Sequence, residues 1–501
     1  MFYLLVVIGA ILLCVYCVLQ RCTRNWKMLR EYPGTYPLPI IGNGLQLGFD
    51  SEKCTDKIFN LWKKYGMKNF RMTVGSEEWL LVTNPDDVAT ILNHPTELCK
   101  QVERNTGMKP LFGNSLSTAE GERWRLVRKL MTPSFHFKTL EKRIEAVNKH
   151  CDRLFELWDN QNRVDAYKYL KPFMLDIVCS SLMGVDMNFL DSIDHPFFEA
   201  GDAAMKIVTE NYFSYWRSIP RFVSLTKLYK ETQRVSKLLD DTTNEVIAQR
   251  RRKIHKLIEY AENNKNPDME LDVLIENDCL LDRLILSKLH CGVALTENMI
   301  YEEVKLFCWT GHHTTGIVLS HALYCIAKFP EVQNRVLDEQ KLIFNKDMLK
   351  KPNHKELIEM KYLEAVIKES IRVVPTITKI SRHLKNDIQL KDGRVVPANT
   401  TVVVFYKGMY QDPKLFTEPE EYNPDRFFLP MHNYAFVPFS SGPRNCIGFR
   451  YAWVAMKASI SNIIRRYELG LAGPGTEPQF VHRLMTESRN GIQLNIKRRV
   501  Y

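Results

Sequence analysis

The sequence has no disulfide pattern. Its 12 cysteines fall at 14, 17, 22, 54, 99, 151, 179, 279, 291, 308, 325 and 446. They are neither dense nor paired enough for a cross-linked scaffold, which argues for a reducing compartment. Cys14 and Cys17 do form a C-x-x-C, but inside an apolar segment where it is incidental. A glycine-rich dinucleotide fingerprint is also missing, as is any other flavin or nicotinamide motif. That excludes a chain carrying its own electron-supplying cofactor of this kind. No nucleic-acid motif occurs either, and the basic residues behind the net charge of +11 are spread along the chain. Anionic lipid or an acidic protein suits such a charge better than nucleic acid does. Internal repeats are absent, so a stacked-repeat architecture is out.

What is present is an ordinary globular composition, 45% hydrophobic and 25% charged over 501 residues, enough for a large core. Charge is missing from Met1 to Leu19, and Arg21, Arg24, Lys27 and Arg30 follow. The run is at the lower limit for a spanning helix, about 20 residues. A cleaved secretory signal carries its basic residues before the apolar run; here they come after it. The expectation is an uncleaved transmembrane signal anchor over residues 1–20, with everything downstream on the cytosolic side. Residues 21–43 then form a basic and proline-rich hinge, with Pro33, Pro37 and Pro39 giving a stiff connector. Residues 44–501 are expected to be a single domain.

Phe70 to Thr83 alternates as a hairpin turning near Gly75-Ser76-Glu77. Asn84-Pro85-Asp86-Asp87 is a helix start with a capping residue, proline and early acids. From about Arg123 the periodicity is helical until strand-like runs return at Ile388–Leu390 and Thr401–Phe405. The fold class this implies is mainly α with small β-sheets. Trp124 and Arg128 share a helical face. The aromatic run Asn211 to Arg217, with Ile219 and Phe222, fits either a membrane-dipping lid or ordinary core. Glu259 to Asp272 is charged and Asn-rich, and is expected to be an exposed loop.

Thr296 opens a helix reaching about Phe329, roughly 50 Å long. Thr310-Gly311-His312-His313-Thr314-Thr315 lies at its centre. A mid-helix glycine costs about 1 kcal/mol relative to alanine, and a flat ligand against this face would explain Gly311. Thr314 can hydrogen-bond in the helix groove and assist proton delivery. Glu369 and Arg372 form an E-x-x-R pair on a later helix.

The stretch around which these features gather is Phe439-Ser440-Ser441-Gly442-Pro443-Arg444-Asn445-Cys446-Ile447-Gly448. Gly442 and Gly448 permit backbone shapes and approaches that a β-carbon blocks. The helix formers from Phe449 to Arg465 put Cys446 at a helix N-terminus, where a thiolate is favoured. A thiolate suits a soft, redox-active metal and is one of the few axial ligands used for haem iron. Arg444 matches a haem propionate.

This decapeptide resembles the haem-binding signature of the cytochromes P450. The resemblance spans the hinge to the C-terminus and is nearest to the microsomal family-four branch of fatty-acid ω-hydroxylases and its insect relatives. Leu111 to Leu116, Pro133 to Phe137, Leu175 to Val178 and Glu302-Glu303-Val304 carry it. It implies Cys446 as the metal ligand, and Trp124, Arg128, Arg382, Phe439, Arg444 and Gly448 as cofactor-binding residues. It also implies Glu369, Arg372 and Arg426 as a buried structural network. Thr314 and His313 become the catalytic candidates. The family normally has an acid where His313 stands, and an imidazole there can either relay protons or simply pack. Many branch members carry a glutamate, ester-linked to haem, where this chain has Thr310; haem b held non-covalently is therefore expected.

The function so implied is a membrane-bound haem-thiolate monooxygenase. It would insert one oxygen atom from O2 into a lipophilic substrate: fatty acid, hydrocarbon, hormone or xenobiotic. Electrons would come from NADPH–cytochrome P450 reductase, with cytochrome b5 as a further partner, at the endoplasmic reticulum membrane. Arg450 and Lys457 are candidates for the docking surface, and loops 105–120 and 205–225 for the pocket walls. Two alternatives are a non-catalytic lipophile-binding protein and a haem-thiolate hydroperoxide isomerase.

Overall fold

A computed structural model of the chain describes residues 3, 8, 15, 22–39, 41–75, 77–100, 107–136, 139–213, 226–263, 279–345 and 347–501. Nearly all of Met1–Leu19 lies outside them, as do Cys14 and Cys17. Among the described residues no helix is long and apolar enough to cross a membrane. From Arg24 onward the hinge already packs on the body: Trp26, Leu29 and Tyr32 are buried, and the Arg71 guanidinium lies 4.4 Å from the Trp26 ring.

The helices that position the site, in chain order, are α1 Cys54–Lys64, α2 Pro85–Leu92, α3 Gly121–Met131, α4 Leu140–Trp158 and α5 Ala166–Val178. They continue with α6 Pro196–Phe213, α7 Lys227–Asn263, α8 Glu297–Lys328, α9 Lys361–Val373 and α10 Phe449–Arg466. The charged stretch from Glu259 is thus helical as far as Asn263, a correction at the edge of the expected loop; its remainder lies outside the described residues.

The strands are β1 Phe70–Val74, β2 Glu77–Val82, β3 Arg163–Asp165, β4 Ile380–His383, β5 Ile388–Gln389 and β6 Val395–Val396. After them come β7 Thr401–Val404, β8 Tyr467–Leu471, β9 Phe480–His482, β10 Thr486–Ser488 and β11 Gln493–Arg498. The largest sheet has the order β1-β2-β7-β4, with β2 and β7 parallel and the other pairs antiparallel. Leu80, Val82, Val402 and Val404 point to one core, while Trp79, Leu81 and Val403 point to another. That is the two-residue alternation of a sheet buried on both faces. Arg382 of β4 stands opposite Val402 of β7, so the sheet fixes its position.

The main core surrounds α8, which Thr296 caps by accepting from the Met299 N–H. Over 32 residues it runs about 48 Å. Residues around its whole circumference are buried, as befits a helix in the middle of a domain. At Gly311 a β-carbon would come 3.0 Å from Val178 Cγ2 of α5, so the close approach of α5 is itself a reason for the glycine.

Candidate active site

The cysteine loop is shaped by its own backbone. Cys446 N–H donates to Phe439 O at 2.9 Å and Asn445 N–H to Gly442 O at 3.1 Å. Gly442 has φ +69°, and a β-carbon on it would sit 2.1 Å from Leu92 O at the end of α2; only glycine fits. Gly448 differs from expectation. It caps α10 at φ −91°, and an added β-carbon would merely touch Phe135 at 3.6 Å. Its contribution is electrostatic, through an N–H aimed at the Cys446 sulfur. The thiolate is not a gift of the helix end alone. Cys446 is exposed to the cavity beside it, yet its depth in the protein raises its pKa and outweighs the Gly448 N–H, Arg128 and Lys100, which pull it down. A cationic metal on the sulfur would reverse that balance.

Cys446 is accessible from a cavity of about 440 Å³ whose walls include Phe439, Thr310, Thr314, Arg382 and Arg444. Trp124 and Arg128 of α3 border the same space. Arg128 grips the loop, donating from Nη1 to Asn445 O at 2.9 Å and from Nη2 to Asn445 Oδ1 at 2.6 Å. Arg444 donates from Nη1 to Ala119 O at 2.9 Å and lies over the Trp124 ring at 4.6 Å. Arg382 donates from Nη1 to Ser381 O at 3.0 Å.

The Nε and Nη2 atoms of both Arg382 and Arg444 are buried with no partner among the described residues. Burial and the neighbouring Arg382 push Arg444 down to about 10. Buried charged donors without acceptors are costly, and an anion with carboxylate geometry is what these four would take. A haem, with two propionates and an iron for Cys446, fits the donor set. Sequence reasoning missed Lys100, which also lines the cavity and is pushed well below its ordinary pKa by burial and by Arg444 and Arg382. It sits in an irregular loop with no periodicity to flag it.

Elsewhere in the lining, Thr314 Oγ1 donates to Thr310 O at 2.8 Å and Thr310 Oγ1 to Leu306 O at 2.8 Å. Both hydroxyls border the cavity with lone pairs to offer. His313 lies beside them but is not part of the lining. It is fully buried, stacks on Trp309 at 5.6 Å, and holds Glu487 Oε1 at 2.9 Å from Nε2. Lys171 and Arg483 flank Glu487 at 3.6 and 3.2 Å. Burial would raise the Glu487 pKa, but the bond from His313 and the charge of Lys171 hold it down at about 2. Neither Glu487 nor Lys171 carries a signal in the sequence that would have singled it out.

The structure brings Glu369, Arg372 and Arg426 together away from solvent. Glu369 takes Arg372 Nε at 2.7 Å and Arg426 Nε at 3.0 Å. The remaining guanidinium donors reach the carbonyls of Tyr410, Pro419, Thr417 and Glu421. Lys457 needs correction as a docking residue: it is buried and paired with Glu364 at 3.2 Å. Its place on the inward face of α10 explains this. Arg450 is exposed. Of the aromatic run, Tyr212 and Phe213 line the cavity; residues 214–225 lie outside the described residues.

Comparison with known proteins adds a family. The family model described as Cytochrome P450 matches residues 32–494. The probable cytochrome P450 4s3 of Drosophila melanogaster is 32% identical over 482 residues, covering 94% of this chain and 93% of that protein. Cytochrome P450 4d2 of the same species is 30% identical over 512 residues, covering 98% and 99%. A protein of Drosophila mettleri named cytochrome P450 4e5, mitochondrial, is 30% identical over 438 residues, covering 86% and 82%.

Proposed function

Because this chain belongs to the cytochrome P450 family, monooxygenases with haem b on a cysteine thiolate, we propose that it oxygenates a lipophilic substrate at the cytosolic face of the endoplasmic reticulum. NADPH-derived electrons would arrive through a separate reductase, with cytochrome b5 as a second donor. The observation that supports this reading best is the convergence on one cavity of Cys446, the Thr310–Thr314 wall and four unpartnered guanidinium donors.

Haem, when bound, supplies the redox-active iron at which dioxygen is reduced and split. Cys446 Sγ would bind its iron. Arg382 and Arg444, with Arg128, Trp124 and Lys100 around them, would hold the propionates. Thr310 offers a hydroxyl where an ester link would need a carboxylate, so the haem is extractable. Thr314 Oγ1 holds a water or a proton on the cavity side of α8, and His313 lies behind it as a relay. Leu306, Val318, Ile377 and Leu484 keep bulk water from the reacting carbon. The exposed Arg450 would meet an acidic reductase, an attraction that added salt weakens.

The apolar, uncharged run Met1–Leu19 and the basic residues after it support a single-pass anchor. Reconstitution with a reductase under isotopically labelled O2 tests the reading. Labelled product from a panel of fatty acids, hydrocarbons and lipophilic toxins, formed in step with NADPH, is the expected result. Product formed from a hydroperoxide without NADPH would point to isomerase chemistry. Substrate binding without turnover would point to a carrier.

A further inference from the structure

Thr310 to Thr315 contains no acidic side chain, yet a carboxylate is delivered to this part of α8 from the far end of the chain. Glu487 of β10 and His313 are 2.9 Å apart, with side chains only 4% and 1% exposed. Lys171 of α5 lies 2.6 Å from Asp202 of α6 and 3.6 Å from Glu487. Arg483, from the turn between β9 and β10, reaches the other Glu487 oxygen at 3.2 Å and Glu52 at 2.8 Å. Asp202 Oδ1 is 4.0 Å from His313 Nε2, and its side chain is 46% exposed.

Asp202, His313 and Glu487 lie close enough together to suggest a metal site. The Lys171 ammonium, however, already stands between the two carboxylates, and a second cation there would be repelled. The arrangement is instead a histidine backed by a carboxylate, within a charged cluster that reaches solvent through Asp202. On the helical wheel His313 falls between Trp309 and Thr310, both of which line the cavity. His313 Nδ1 and Trp309 Nε1 are buried and have no partner among the described residues. Both face Gly201 of α6, where a β-carbon would approach them to 3.8 and 3.3 Å. Glycine therefore keeps α6 clear of these two nitrogens, and a buried water between α6 and α8 would satisfy them.

Building on the monooxygenase reading, we propose that Glu487 is a positioning residue for proton delivery, acting through His313. Its carboxylate accepts the Nε2–H, which fixes the tautomer and leaves Nδ1 as the atom that takes up and releases protons. It also supplies the countercharge for the imidazolium that forms in between, as a carboxylate behind a histidine does elsewhere. Each turnover consumes one O2, two electrons from the flavoprotein reductase and two protons from solvent, and yields oxygenated product and water. His313 gains one proton from water at Nδ1, passes it toward the Thr310–Thr314 groove, and returns to the same tautomer.

The test uses the full chain loaded with haem and labelled with 15N in its histidine rings, the His313 signals being assigned with His313→Gln. In the wild type, Nε2 should carry a proton in a strong hydrogen bond. Glu487→Gln should move that resonance and mix the tautomers, and Glu487→Asp should keep the wild-type pattern in large part. With reductase and NADPH, peroxide released per product formed should rise by roughly a hundredfold in Glu487→Gln, the low end of a positioned proton-transfer group's contribution. Combining Glu487→Gln with His313→Asp puts the carboxylate on α8 beside Lys171 and should recover coupling. Unchanged ring signals and unchanged coupling in Glu487→Gln would overturn the assignment while leaving the monooxygenase intact. A wild type that makes no product from O2 and NADPH would instead remove the reading on which it rests.

Discussion

Arg382 and Arg444 show how much a site can say through what its side chains leave unsatisfied. Each lines the cavity and keeps two buried guanidinium nitrogens with no acceptor among the described residues, and a charged hydrogen bond is worth about 1.5–3 kcal/mol. Arg382→Ala or Arg444→Ala should therefore loosen haem by roughly ten- to a hundredfold, read as the rate of haem transfer to an excess of a scavenging apoprotein. The two loop glycines should separate just as clearly. Gly442→Ala meets Leu92 O and a left-handed backbone, at a cost upward of about 2 kcal/mol. Gly448→Ala loses only cap preference, about 0.5–1 kcal/mol; thermal melting of both variants checks the difference. At this scale Cys446, Arg444, Trp124 and Arg128 were legible because short motifs name them. Lys100 and the Asn445 amide that Arg128 grips were not, since neither belongs to a pattern with fixed chemistry.

Helix α8 was legible as an element from its cap at Thr296, its length and the proline that follows it. Which neighbour each face meets was not, because a helix buried all round has no polar side to orient it. Gly311 illustrates the consequence. Gly311→Ala should overpack α5 at a cost of about 1–3 kcal/mol, and Val178→Ala in the same chain should relieve most of it. A glycine kept for a flat ligand would show no such rescue. Glu303 supplies a pH test on the same helix. Its Oε2 accepts the Leu116 N–H at 3.0 Å, and burial raises its pKa to about 8 from an ordinary 4.5. A carboxyl raised in the fold stabilises fully below 4.5, and that contribution is lost as pH rises toward 8. Denaturant melts should accordingly show Glu303→Gln gaining on the wild type between pH 5 and about 9. A constant difference across that range would mean that Glu303 does not stay protonated in the fold.

For the molecule as a whole, the alternation of helical runs with a few strand pairs announced the architecture, while the contacts across long sequence separations did not announce themselves. Glu487 meets His313 across 174 positions, and Glu369 meets Arg426 across 57; only the second pair lies in a recognisable order of motifs. Glu369→Ala would strand two buried arginines, and a loss of about 3–5 kcal/mol should leave little folded protein to take up haem. A thiolate-bound haem in the Cys446 cavity would show itself in the carbon-monoxide difference spectrum of the reduced protein. The wild type should take up about one haem per chain and show the long-wavelength Soret band of a thiolate-ligated complex, with Cys446→Ser losing that band. A band that survives Cys446→Ser, or a folded wild type that takes up no haem, would contradict it.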